Sequence, residues 1–463
     1  MMKFLARCAS SLFLLWLGGV QAAPLAAPIN AQKEVAPLSI SCPQGLPEKV
    51  RCLAGVDSAG AHYLIAIPDR WNNVLVLHSH GGPLLGAPTS ERVAEDLRRW
   101  KVVVRAGYAW AGSSFRQGGV AVRAAAEDTE RLRQIFSHWV AAPRRTILHG
   151  QSWGASVAAM AADMFSGQSP SDQQPYDGVL LTSGVLGGGT KSYDFRLDLR
   201  VVYQYLCNNH PLPTEPQYPL WMGLPKGATL NLVQLAERAR ECLGVGLSPE
   251  QRTPLQARNL KTIVDVIRIP ERSVLGHLNW ATFHFREIAL NRTNGRNVFG
   301  NQGVRYSGSG DDDALNAGVA RYGADAEAVA IFARDTDPTG RIPVPVLSAS
   351  AIYDPTAFVE LQDTFLRTMQ KAGTADHLVQ TFTSDDEHSY FSDPVYPALL
   401  ALLLKWVDDG KMPTPKQVSY ECSAQEANFG TGCRFLPDFK PPPLESRVPA
   451  RGYTPVQQER SNK

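Results

Sequence analysis

The residues with the clearest chemical meaning are Gly150-Gln151-Ser152-Trp153-Gly154. They stand between a short apolar run, residues 145–149, and an alanine-rich stretch, residues 155–165. A G-x-S-x-G sequence joining a strand to a helix makes a tight, strained turn in which larger residues at the glycine positions would clash. That turn lifts the Ser152 hydroxyl out of the sheet and sets it at a helix N-terminus, whose partial positive charge favours a developing anion. The chemistry is nucleophilic attack on an acyl carbonyl. Such a reaction needs donors for the oxyanion. The backbone N–H of Trp153 supplies one, and the loop His80-Gly81-Gly82-Pro83 supplies the other from Gly82 or Gly81, because Pro83 has no N–H.

Residues 74–83, the elbow at 150–154 and the later strand and helix runs together resemble the α/β-hydrolase superfamily, over about 61–186 and 342–408. His80-Gly81-Gly82-Pro83 and Gly-x-Ser-Trp-Gly are similar to the motifs of prolyl-aminopeptidase-type members. That subfamily pattern reads Gly-Gly-Ser-Trp-Gly, with a glycine after Gly-Gly-Pro, whereas Gln151 and Leu84 stand here. The superfamily's chain order is nucleophile, acid, histidine. The resemblance therefore implies Asp354 as the acid, following the run 344–348, and His388 as the base, in Asp385-Asp386-Glu387-His388-Ser389. Asp335 and Asp337 are rivals that precede the run. His377 also follows Asp354, but it stands before its own strand. In this assignment His388 takes the Ser152 proton, while Asp354 fixes the tautomer and stabilises the imidazolium. The acids at 385–387 read as a solvated loop.

These groups require a sheet to hold them. Apolar runs at 61–68, 74–77, 108–113, 145–149, 178–181, 344–348 and 377–383 predict strands. Residues 90–100, 122–140, 155–165, 359–371 and 395–407 predict helices. The alternation implies right-handed crossovers and a mainly parallel central sheet, an α/β class of the α/β-hydrolase type. Between 187 and 341 it breaks down, over a span far beyond an ordinary loop of roughly 2–6 residues. Helix-like stretches at 197–207, 232–242 and 255–267, then a Gly- and Asn-rich section at 291–313, are read as a large, mostly helical cap inserted after the sixth strand. The chain thus divides into a signal peptide (1–23), a first catalytic part (36–186), the cap (187–341), a second catalytic part (342–410) and a Pro-rich tail with a small cysteine loop (411–463). Trp280, Phe283 and Phe285, near His277 and His284, fit either a substrate cleft or an aromatic cap core. Asp311-Asp312-Asp313 lacks the alternating ligand spacing of a calcium loop.

A chain of 463 residues with 44% hydrophobic and 19% charged residues and a net charge of +2 is an ordinary globular protein, and no basic run points to nucleic acid. Lys3 and Arg7 precede an apolar stretch at 8–20, with Ala22 and Ala23 after it. That is the layout of a cleaved signal peptide, too short for a span of ~20 residues. Export to the periplasm or beyond follows, with no stable membrane anchor after cleavage. Cys8 precedes the apolar core, so a lipoprotein cysteine is not supported. Cys42, Cys52, Cys207, Cys242, Cys422 and Cys433 suggest disulfides between sequence neighbours, and no CxxC or HxxxH element accompanies them for zinc.

The expected function is cleavage of a carboxylic ester, small or oligomeric, through an acyl-enzyme; neither cofactor nor metal is required. An aminopeptidase on the same fold needs cap carboxylates to hold an ammonium group, yet the cap's helical segments are rich in Arg, Leu and Ala, with 311–313 the exception. A non-catalytic binding protein would be expected to lack Ser152 or His388. Acyl preference and oligomeric state are left open.

Overall fold

The structure is a computed structural model and describes residues 33–166 and 174–451. The expected signal peptide, 1–23, lies outside the described residues.

The strands are β1 (Leu38–Ile40), β2 (Val50–Val56), β3 (His62–Pro68), β4 (Val74–Ser79), β5 (Ala109–Ser113), β6 (Arg145–Gln151), β7 (Gly178–Thr182), β8 (Val346–Ala351) and β9 (Leu378–Thr383). They form one nine-stranded sheet in the order β1-β2-β3-β5-β4-β6-β7-β8-β9. β1, β2, β3 and β5 pair antiparallel, and the pairs from β5 to β9 are parallel. This is the α/β-hydrolase fold with one extra strand, β1, at its antiparallel edge.

Alternation along each strand feeds two cores. Leu75, Leu77 and Leu148 face one cluster, and Val74, Val76 and Ile147 face the other. Helices Val122–Trp139, Trp153–Phe165 and Leu361–Ala372 cover the first face; Ser90–Arg99, Lys101–Arg105 and Val395–Asp409 cover the second. The helix after β6 is tolerated so close to the sheet because Ala155, Ala158, Ala159, Ala161 and Ala162 are all buried there.

Several elements depart from the sequence reading. β1 and β2 were not expected, because their residues alternate weakly: β1 is exposed throughout and only two β2 residues are buried. With the extra edge strand β1 set aside, the inserted region follows the sixth strand, here β7. β8 begins two residues later than the run 344–348 and continues to Ala351, where its ladder with β9 ends at Thr383. The tail is not merely a Pro-rich wrap: Pro415–Phe429 is a helix packed on the preceding one. Thr414 starts it, accepting from Gln417 N–H while the Gln417 side chain returns to Thr414 N–H. Thr414-Pro415-Lys416-Gln417 was a readable start signal.

The inserted region contains Phe195–Cys207, Leu232–Leu243, Pro254–Ile267 and Ala326–Thr336, with further short helices between them. Its buried residues, among them Val202, Leu235, Ile263 and Phe332, join one continuous cluster with Leu75 and Leu148 of the sheet. The inserted region is therefore cored against the sheet rather than on its own. Disulfides join Cys42–Cys52, Cys207–Cys242 and Cys422–Cys433, the neighbour pairs. Among the described residues no helix is long and apolar enough to cross a membrane.

Candidate active site

Parallel strands send their carboxyl ends to one edge of the sheet, so the loops after β4, β6, β8 and β9 meet there. Ser152 sits at the end of β6 with φ 57° and ψ −121°, a conformation non-glycine residues rarely adopt. Its surroundings over-determine it. Ser152 N–H donates to Thr182 O at 3.0 Å, and its carbonyl accepts from Val185 N at 3.1 Å. A Cβ on Gly154 would collide with the Ser79 and His80 carbonyls, and one on Gly150 would lie 2.6 Å from Ala155 Cα. Close approach of backbone to backbone is why both elbow positions are glycine.

His388 Nε2 lies 2.7 Å from Ser152 Oγ. On its other side His388 Nδ1 lies 2.8 Å from Asp354 Oδ2 and 3.0 Å from Oδ1. A carboxylate only accepts, so Nδ1 carries the proton and Nε2 is free to accept from the serine hydroxyl. Asp354 is itself held: Oδ1 accepts from Thr356 N and Ala357 N, each at 2.8 Å, and the side chain is fully buried. The residue after His388 anchors its loop. Ser389, at φ 99°, accepts from Ser183 Oγ through its carbonyl (3.0 Å) and from Arg99 through its hydroxyl (2.6 Å).

The rivals are engaged elsewhere. Asp335 accepts from Arg123 N at 3.0 Å, Asp337 is bonded to Thr190, and His377 lies beside Asp376. Asp385 pairs with Arg434 at 2.7 Å, while Asp386 and Glu387 are exposed. Asp311 caps the helix Asp312–Gly318, Asp312 accepts from Ser309, and Asp313 is exposed beside Arg305. Among the described residues no group of three or more His, Cys, Asp or Glu is arranged to hold a metal.

Trp153 opens the helix Trp153–Phe165, so its N–H has no carbonyl one turn back to bond. Its indole is buried, with its ring centre 5.9 Å from that of His80 and 5.8 Å from that of Phe115, beside a cavity of about 30 Å³. A larger opening, about 500 Å³, is lined by other residues. Leu85 and Gly86 of one loop, Gly118 of another, and Phe283, Arg286 and Leu290 of the cap surround it. Gly86 and Gly118 also line the small cavity, so the two openings adjoin.

What the sequence did not disclose is how the inserted region meets this edge. Residues 274–292 form one helical run with two π turns, Trp280–His284 and Ile288–Arg292. His277 Nε2 donates to Pro355 O at 2.8 Å, next to Asp354; His284 Nε2 donates to Pro83 O at 2.9 Å, next to Gly82. Burial pushes both imidazoles down, to about 3 and about 4, so each is neutral. Trp280 stacks on His284 with ring centres 4.5 Å apart, Phe285 stacks on Phe299 in the core, and only Phe283 of the three aromatics lines the cleft. The cluster is part cleft and part core.

No family model matches this chain, and no curated protein does. Among solved structures it is similar to feruloyl esterase B from Aspergillus oryzae, at 12% identity over 82% of this chain and 86% of that one, with a TM-score of 0.40. It is also similar to lipase A from Candida antarctica, at 12% identity over 90% and 89% with a TM-score of 0.43. A rice cell wall degrading esterase, LipA from Xanthomonas oryzae, matches at 14% identity over 77% and 92%, with a TM-score of 0.37. At such values the chemistry of this chain has to be read from its own side chains.

Proposed function

We propose that this chain is an exported serine hydrolase that cleaves carboxylic esters through an acyl-enzyme on Ser152. The observation that carries the reading is the relay from Ser152 Oγ through His388 to buried Asp354. Ser152 Oγ attacks the ester carbonyl while His388 Nε2 takes its proton, and the C–O bond to the alcohol breaks as His388 returns that proton to the leaving oxygen. Water then attacks the acyl-enzyme, again deprotonated by His388, and the acid leaves as Ser152 is reprotonated. Asp354 stays ionised throughout and holds the imidazole in the useful tautomer. The oxyanion is assigned to Trp153 N–H and Gly82 N–H, with Gly81 as the alternative donor.

An opening of about 500 Å³, lined by Leu85, Gly86, Phe283, Arg286 and Glu287 but not by Ser152 or His388, adjoins the small cavity beside Trp153 and is read here as the approach to the site. Its carboxylate, Glu287, already accepts from Arg292 Nε at 2.5 Å and Val120 N at 3.0 Å, so it is not free to hold a substrate ammonium. That favours an ester over an aminopeptidase substrate. The three disulfides fit an oxidising compartment, which supports export to the periplasm or beyond.

The test compares purified protein with Ser152→Ala on p-nitrophenyl acyl esters and on aminoacyl p-nitroanilides, proline included. Ester turnover that vanishes in the variant, with the anilides untouched, is the expected result. Preferential release from free-amine anilides would replace the esterase with a peptidase.

A further inference from the structure

We propose that Arg92 is a positioning residue for the oxyanion site: it grips the Gly81 carbonyl and thereby aims the Gly82 N–H. The inference rests on the hydrolase reading above and names a part of that site which the motif does not contain.

Arg92 lies in the first turn of the helix Ser90–Arg99 that follows β4. Its guanidinium NH2 donates to Gly81 O at 2.7 Å and lies 3.3 Å from His80 Nδ1. Burial, with Arg92 adding to it, pushes His80 down to about 3, so that imidazole is neutral and does not repel the guanidinium. Asp96, one turn along the helix, stands 3.4 Å from the same nitrogen and holds the guanidinium from the helix side. The Arg92 side chain is only 20% exposed.

The link to the oxyanion is a property of the peptide unit. The Gly81–Gly82 bond is trans, since the only cis bond among the described residues is His210–Pro211. In a trans peptide the C=O and the N–H across the bond point in opposite directions and lie in one plane. Fixing Gly81 O therefore fixes Gly82 N–H, and a cationic donor on the oxygen also polarises that N–H. The neighbouring unit behaves differently. His80 O lies against Gly154, so by the same rule Gly81 N–H is directed away from Gly154. The unit is clamped from below too: a Cβ on Gly81 would collide with Gln151 Oε1, so the residue before the nucleophile packs directly under this loop.

A direct role in substrate binding fits less well. The cavity that Arg92 shares with His80, Phe115 and Trp153 measures about 30 Å³, room for water but not for an acyl chain. Arg92 does not line the 500 Å³ cleft.

The experiment measures labelling of Ser152 by an alkyl fluorophosphonate, whose phosphoryl oxygen gains negative charge as Ser152 Oγ adds to phosphorus and the P–F bond breaks to release fluoride, alongside kcat and KM on the best p-nitrophenyl ester. Arg92→Met keeps the volume and removes the donor; Arg92→Lys keeps a cationic donor; Arg98→Ala, at an exposed arginine on the same helix, is the control. Losing a whole oxyanion donor costs about 10²–10³ in kcat, so a mis-aimed one is expected to cost about 10–100-fold. Arg92→Met should show that loss in both labelling rate and kcat, with KM within about twofold and an unchanged Tm, and Arg92→Lys should recover part of it. Labelling of Arg92→Met at the parent rate overturns the proposal, as does a loss confined to KM. A protein that labels at Ser152 but turns over no ester on the panel would overturn the esterase reading while leaving the aim of Gly82 measurable by labelling.

Discussion

At the elbow, groups are placed by backbone against backbone: Gly154 is pressed on the Ser79 and His80 carbonyls, and Ser152 is held at φ 57° by hydrogen bonds to the neighbouring strand and loop. Over the same edge, the cap segment 274–292 is placed by side chains, with His277 on Pro355 O and His284 on Pro83 O. The first arrangement has no slack, because peptide units cannot be repacked. The second is a pair of hydrogen bonds, each worth roughly 0.5–1.5 kcal/mol net, added to a shared apolar core. The elbow tolerates almost no substitution, whereas each histidine contact of residues 274–292 can be lost for about the cost of one hydrogen bond.

The largest effects are expected at the relay itself. Ser152→Ala should lower kcat on the best ester by about 10⁴–10⁶-fold with an unchanged Tm, and retention of more than a few per cent of turnover would remove Ser152 from the mechanism. Asp354→Asn should cost about 10⁴-fold, because an amide stabilises the wrong His388 tautomer; burst kinetics would show slowed acylation. If the elbow is as rigid as its contacts require, Gly154→Ala should destabilise the protein by about 1–3 kcal/mol in denaturant and lose activity in the fraction that folds.

On the cap side the effects are smaller and fall on stability. Cys207→Ser with Cys242→Ser opens a loop spanning 35 residues and should cost about 3–4 kcal/mol, seen as an earlier unfolding transition under oxidising conditions. The docking histidines carry a pH signature. Their folded pKa values lie below the unfolded value, so the unfolded chain binds more protons and stability falls as pH drops from about 6.5 toward 4. His284→Gln, which keeps a donor for Pro83 O, should flatten that slope by up to ~1.4 kcal/mol per pH unit. An unchanged slope would mean that His284 titrates normally and that the cap is seated less tightly than its contacts imply.

The alternation that makes a parallel sheet, the cysteine neighbours and the positions of Ser152, Asp354 and His388 after strand runs are legible in the amino-acid order. Those features are local: a period of two along a strand, a glycine-bounded turn, a chain order. The amino-acid order left β1, β2 and the helix Pro415–Phe429 unread, the first two because edge strands expose most of their residues and so lose the alternating signal. Thr414-Pro415-Lys416-Gln417 was legible and was masked by the surrounding prolines.

Which residues surround the relay follows from packing between elements distant in the chain. Arg92 reaches Gly81 from a helix that the sequence marks simply as amphipathic, and the two cap histidines reach carbonyls far away along the chain, at separations of 78 and 201 residues. No periodicity encodes such contacts. They exist because the shared core of sheet and cap sets the distance between elements, and a polar side chain buried there must find the one partner within reach.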